Sequence, residues 1–233
     1  MTTQEFSNEF DILLNSYTAM MGGASTASPI NLDEYEKSVL LTEAQNSIVI
    51  GLYTGRLTGE ALERSEELRR ELDSLIETTY PEEIDGQTGV SSSSVFYQLD
   101  PKVWYIIYES ADLSEGAYCE SDPSIQVIPM KIDEWHRAKK NPFRMPDQRK
   151  AVRLDAGDHI VEIISKYPIA NYLVRYLRKP NPIILTDLED DLSIDGLQTI
   201  TECELSTVLH RIILEAAVQL AARRLPSSGN KNS

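Results

Sequence analysis

The chain is poor in the residues that most often carry chemistry. Its 233 residues include two cysteines and three histidines. Cys119 and Cys203 stand far apart, and neither has a partner at metal-ligand spacing. His136, His159 and His210 are just as scattered. This excludes a disulfide framework and a zinc site built from neighbouring residues, so neither cofactor nor metal is expected. It suits an intracellular fold with idle or buried thiols. No apolar run reaches the ~18 residues of a membrane-span candidate. The start, Met1-Thr2-Thr3-Gln4-Glu5, lacks the basic and short apolar segments of a signal peptide. No Gly-Lys-Ser/Thr follows Gly22-Gly23, and Gly-x-Gly-x-x-Gly, Gly-x-Ser-x-Gly and His-Glu-x-x-His are all missing.

What the chain does have is an ordinary globular composition, 41% hydrophobic and 25% charged, with a formal net charge of −15. General nucleic-acid binding is disfavoured, because the phosphate term is repulsive for so acidic a protein. The charge is uneven. Lys131, Arg137, Lys139, Lys140, Arg144, Arg149, Lys150 and Arg153 face only Asp133, Glu134 and Asp147 within residues 131–153, a local balance of +5 that leaves −20 elsewhere. Surfaces of opposite sign on one subunit suit head-to-tail contact with copies or neighbours. A solvated basic loop is the plainer alternative.

Periodicity predicts an α+β fold: N-terminal helices, a central region of short strands and a long C-terminal helix. Phe6, Phe10, Leu13, Leu14 and Tyr17 mark a helix over 4–20. Gly22 to Pro29 reads as a flexible connector, so residues 1–30 are expected to be a helix and arm, 31–225 one α+β domain, and 226–233 a loose tail. A second helix should start near Asn31 or Asp33, with Leu32, Tyr35, Val39, Ala44, Ile48 and Leu52 as its apolar face and Gly51 and Gly55 weakening its end. A third, from Thr58 with Ala61 and Leu62, should run through Leu68, Leu72, Leu75 and Ile76 to Pro81. Gly86 to Ser94 is a turn-rich gap. Val95–Leu99 and Val103–Tyr108 read as a hairpin around Asp100-Pro101, and Ile125–Met130 as a third strand. Asp133–Lys140 reads as a short helix ended by Asn141-Pro142. Ala151–Leu154 and His159–Ile164 add short elements, Tyr172–Leu177 is ambiguous, and Pro182–Leu185 is expected at a sheet edge. The closing helix is expected to be capped by Thr201 and Glu204, with Leu205, Leu209, Ile212, Ala216 and Leu220 as its stripe.

Candidate chemistry is thin. Asp187, Glu189, Asp190, Asp191 and Asp195 could hold a hard cation, but they lack the alternation and terminal Glu of a calcium loop. A solvated turn is the simpler reading. His136 stands beside Trp135, which suggests base stacking or proton transfer, but no partner is in view. His210 reads as a packed or interface histidine. Cys203 lies near a helix start, where a thiol pKa can fall, yet it too reads as structural.

Four segments in order carry a resemblance. They are Leu32-Asp33-Glu34-Tyr35-Glu36-Lys37-Ser38-Val39, Lys139-Lys140-Asn141-Pro142-Phe143-Arg144, Tyr172-Leu173-Val174-Arg175-Tyr176-Leu177-Arg178-Lys179-Pro180, and Cys203-Glu204-Leu205 leading to Leu209-His210. Together they resemble virion structural proteins of crAss-like and related tailed phages, of the ring or head–tail connector type, over most of residues 5–225. The resemblance implies a non-enzymatic subunit made in the host cytoplasm and placed at the head–tail junction. It implies a ring of copies with the portal's twelve-fold symmetry, in contact with the portal and neighbouring ring or tail proteins. DNA would pass through the lumen without sequence-specific binding. The candidate interface is Lys131, Arg137, Lys139, Lys140, Phe143, Arg144, Arg149, Lys150 and Arg153, with Arg175 and Arg178 of the third motif. The stretches 22–29 and 86–94 are expected either to order on assembly or to be plain surface loops. Competing readings are a tail-completion or tail-tube terminator protein and, more remotely, an enzyme or nucleic-acid accessory factor centred on His136 or residues 187–195.

Overall fold

The computed structural model describes residues 1–20, 31–56, 66–114, 123–189 and 191–224. The expected connector at 22–29, the helix start at Thr58 with Ala61 and Leu62, Cys119, Asp190 and the tail after 225 lie outside these residues. The fold is α+β, as the sequence predicts. The chain divides into two compact units, one made of residues 1–75 and 180–233, the other of residues 76–179.

The first unit is helical. Helix α1 (Thr3–Met20) buries Phe6, Phe10 and Leu14, as their spacing requires. Helix α2 (Glu34–Tyr53) starts at a capping box in which Asp33 Oδ1 accepts from Glu36 N at 2.7 Å and Glu36 Oε2 accepts from Asp33 N at 3.2 Å. Gly55, at φ 72°, follows its end.

The predicted apolar stripe of α2 divides in two. Ala44, Ile48 and Leu52 are buried, but Leu32, Tyr35 and Val39 are only half-buried. The inward face instead includes Lys37, Ser38, Thr42 and Gln45. The segment 181–185 explains three of these. Thr42 Oγ1 accepts from Ile183 N at 3.1 Å, Ser38 Oγ accepts from Leu185 N at 3.0 Å, and Gln45 Nε2 donates to Asn181 O at 2.8 Å. Side chains of α2 thus satisfy backbone groups that a sheet would otherwise pair. Pro182–Leu185 is therefore not a sheet edge. Its one ladder contact is an isolated bridge from Ile184 to Thr201.

That bridge also displaces the expected cap. The closing helix, α5 (Thr207–Arg224), begins after Ser206, while Glu204 accepts from Asn181 Nδ2 at 2.5 Å. Helix α5 buries Leu209, Ile213, Leu214, Ala217, Val218 and Ala221 against α1 and α2.

The predicted third helix also ends early. Helix α3 (Glu66–Glu71) and a 3-10 turn (Asp73–Leu75) give way to strand β1 (Ile76–Thr79), not to a helix reaching Pro81. Ile76, Thr78 and Thr79 are β-branched, and pairing with a long strand overrides the helical pattern.

The second unit is an eight-stranded sheet. Its other strands are β2 (Glu82–Ile84), β3 (Ser94–Gln98), β4 (Val103–Leu113), β5 (Ser124–Pro129), β6 (Lys150–Gly157), β7 (Ile160–Ile164) and β8 (Ile169–Arg178), in the order β1-β8-β4-β5-β6-β7-β3-β2. Strands β3 and β4 exist where expected but form no hairpin. Strand β3 pairs with β7 and β2, and β4 with β8 and β5. The ambiguous Tyr172–Leu177 lies inside β8, which is ten residues long, and β4 has eleven, so the strands are not uniformly short. The tight β6–β7 turn places Gly157, Asp158 and His159 at φ 95°, 49° and 59°. The one parallel pair among the described residues, β5 with β6, is joined through helix α4 (Ile132–Ala138).

Candidate interaction surface

The basic segment is held on a fixed platform. Trp135 is 2% exposed and packs with Val152, Leu154 and Ile164, while Met130 and Met145 flank this cluster. Ala138, the other inward residue of α4, is fully buried. Apolar residues at i and i+3 thus fix the helix to the sheet and turn Lys131, His136, Arg137, Lys139 and Lys140 to solvent. Because the Trp135 ring is buried, it offers His136 no surface for stacking a base.

A 3-10 turn (Pro142–Arg144) follows. Phe143 stands at its centre, 90% exposed. Its backbone is nevertheless tied at both ends. Its N–H donates to Asn141 Oδ1 at 3.1 Å, and its carbonyl accepts from Lys150 Nζ at 2.7 Å. Arg144 and Arg149 are exposed beside it, and the Arg149 N–H donates to Asp147 Oδ1 at 2.8 Å.

Other members of the basic set are turned inward or paired. Arg153 is 11% exposed, with Nη1 donating to Glu109 Oε1 at 2.8 Å and Nε lying 3.3 Å from Asp155 Oδ1. Tyr172 also donates to Glu109. Burial pushes the Glu109 carboxyl above its ordinary range, and Arg153 and Tyr172 hold it back. Burial and the Glu109 carboxylate push the Tyr172 phenol far up, so it stays a donor. Arg153 therefore has little charge to offer a partner. Arg178 is half-buried and pairs with Glu77 at 2.9 Å, while Arg175 remains exposed on β8.

A groove in the helical unit had no counterpart among the motifs. Val39, Glu43, Asn46, Ile50, Arg56 and Ile194 help to line a cleft of about 690 Å³. A second cleft of about 370 Å³, with Tyr35, Leu40 and Ala221 among its walls, shares Val39 with it. Tyr35, Val39, Asn46 and Ile50 follow helical spacing, so the half-buried part of the α2 stripe lines both clefts. Its intermediate exposure could not be read from periodicity.

The remaining candidates have structural partners. Burial pushes the Cys203 thiol up to about 11, as suits a structural cysteine, and Sγ donates to Gln45 Oε1 at 3.3 Å. His210 is buried, with its ring near Phe6 and Nε2 3.0 Å from Leu205 O. Asp187 Oδ1 accepts from Ile200 N at 2.8 Å, which closes a turn. Among the described residues no three His, Cys, Asp or Glu side chains gather as metal ligands, and no helix is long and apolar enough to cross a membrane.

A family model described as phage tail ring protein 3/4 matches residues 1–232. The chain belongs to this family. It is similar to Ring protein 3 of Bacteroides phage crAss001, with 44% identity over 99% of this chain and all of that protein. It is also similar to Ring protein 4/5 of the same phage, with 33% identity over 95% of this chain and 92% of the relative. The phage tail ring protein family is one of structural proteins, not enzymes, and this member is a structural ring protein of a crAss-like phage virion.

Proposed function

We propose that this ring protein is an adaptor in the head-to-tail connector. In this reading copies of the chain close into a ring of the portal's twelve-fold symmetry, touching the portal and neighbouring ring or tail proteins. DNA passes through the lumen without sequence-specific contact, because a subunit with a net charge of −15 does not grip phosphate. The supporting observation is the basic platform around Phe143, presented rigidly by a chain that is acidic elsewhere. Lys131, Arg137, Lys139, Lys140, Arg144 and Arg149 form its rim, while on β8 Arg175 is exposed and Arg178 is held by Glu77. Burying the Phe143 ring would contribute ~2–3 kcal/mol, and the charged rim sets register and partner choice.

Electron microscopy of purified particles tests this reading. The expected result is a closed ring of this chain in contact with the portal. A ring that touches only tail proteins favours the tail-completion reading, and absence of the chain from purified particles ends both.

A further inference from the structure

The helical unit contains 21 acidic and 9 basic residues, a net −12, whereas residues 131–153 carry +5. The strongest opposing charges of the subunit therefore lie on different units. Heterologous contact between copies requires this kind of pairing, in which one surface meets a different surface.

We propose that the Phe143 ring of one copy seats in the α2 groove of the next copy, with Lys140 and Arg144 beside it facing the acidic helical unit. This deepens the ring reading above and rests on it.

Two observations support the pairing. First, Phe143 is the most exposed large apolar side chain among the described residues, yet its backbone is tied to Asn141 and Lys150. A pre-organised aromatic surrounded by cations loses little freedom on docking and suits an interface anchor. Second, the groove presents Tyr35, Val39 and Ile50, apolar residues that the subunit leaves half-exposed. Glu36, Glu43 and Asp195 border the groove, as do the cations Arg56 and Arg224. Glu43 already pairs with Arg224, so the attraction comes from the unit's overall charge.

The test uses the purified full-length chain. Sedimentation velocity compares the wild type with Phe143→Ala and Val39→Lys, and thermal unfolding checks that each variant keeps its fold. Both are expected to weaken self-association at least about 10-fold. Phe143→Cys and Val39→Cys, each made in a chain with Cys119→Ser and Cys203→Ser, are then mixed and oxidised. Mixed disulfide pairs should form at least about 10-fold faster than either like pair. If the wild type associates, but Phe143→Ala associates equally well and mixed pairs show no excess, the pairing is wrong and the ring reading stands. Unchanged association of Val39→Lys also overturns it. A wild type that stays monomeric at every concentration, with single copies in particles, overturns both.

Discussion

Arg153 and Glu109 form an ion pair at 2.8 Å in which both side chains are largely withdrawn from water. Tyr172 completes the carboxylate's environment from β8. Removing one charge strands the other, so Arg153→Ala should cost ~3–5 kcal/mol in urea unfolding. The double change Arg153→Met with Glu109→Gln should recover most of this. If the single and double variants are equally unstable, the pair is not the cause.

Trp135 carries the platform. Trp135→Ala should cost ~3–5 kcal/mol in the sheet unit. Phe143→Ala, at an exposed ring, should lie within ~0.5 kcal/mol of the wild type. Thermal unfolding of the two variants side by side would show the contrast. A large loss from Phe143→Ala would mean that the ring is packed within the subunit.

Glu162 fastens the 86–94 stretch. It accepts from Val90 N at 2.7 Å and from the Ser94 hydroxyl. These bonds tie the stretch to β7 within the subunit. A Cβ at Gly89 would clash with Ser94 Cβ and lie 2.6 Å from Glu162 Oε1. Gly89→Ala should therefore cost ~1–3 kcal/mol and quicken protease cleavage between β2 and β3. An unchanged cleavage rate would show that the contact is dispensable.

His210 gives stability a pH dependence. Burial is the largest influence and lowers its pKa from 6.5; the Leu205 carbonyl and Glu202 oppose this, and the Met1 ammonium reinforces it. The native state therefore resists a proton that the unfolded chain accepts. The contribution is complete above the unfolded value of 6.5 and is lost as pH falls through the folded value. The stability difference between the wild type and His210→Gln should accordingly shrink between about pH 8 and pH 5. A difference that is flat with pH would contradict this.

Much of the fold was legible in the chain. Phe6, Phe10 and Leu14 announced α1 correctly, and α2 starts after Asp33, one of the two expected starts. Strand β5 and helix α4 also stand close to their expected bounds. The failures came where partners distant in sequence decide. Ile76 to Thr79 continued a helical stripe but pair with β8, and neighbouring β3 and β4 separate because β7 and β8 are better placed to pair with them. Thr201 and Glu204 had capping spacing, but Ile184 and Asn181 engage them. In the candidate surface, the basic character of 131–153 was readable, whereas the exposure of Phe143 was not. The inward turn of Arg153 was not, because it depends on Glu109, 44 residues away.

The helical unit is discontinuous in sequence, built from residues on both sides of the sheet unit. During synthesis α1 and α2 emerge first and must wait for α5, the last helix made, before their shared core can close. Ala221 and Arg224, which complete one end of the α2 groove, arrive in the same final stretch. A nascent chain therefore displays its Phe143 platform before its own groove exists. A finished neighbour on the same messenger could thus receive the platform of a chain still being made, whereas the unfinished chain could not yet receive another.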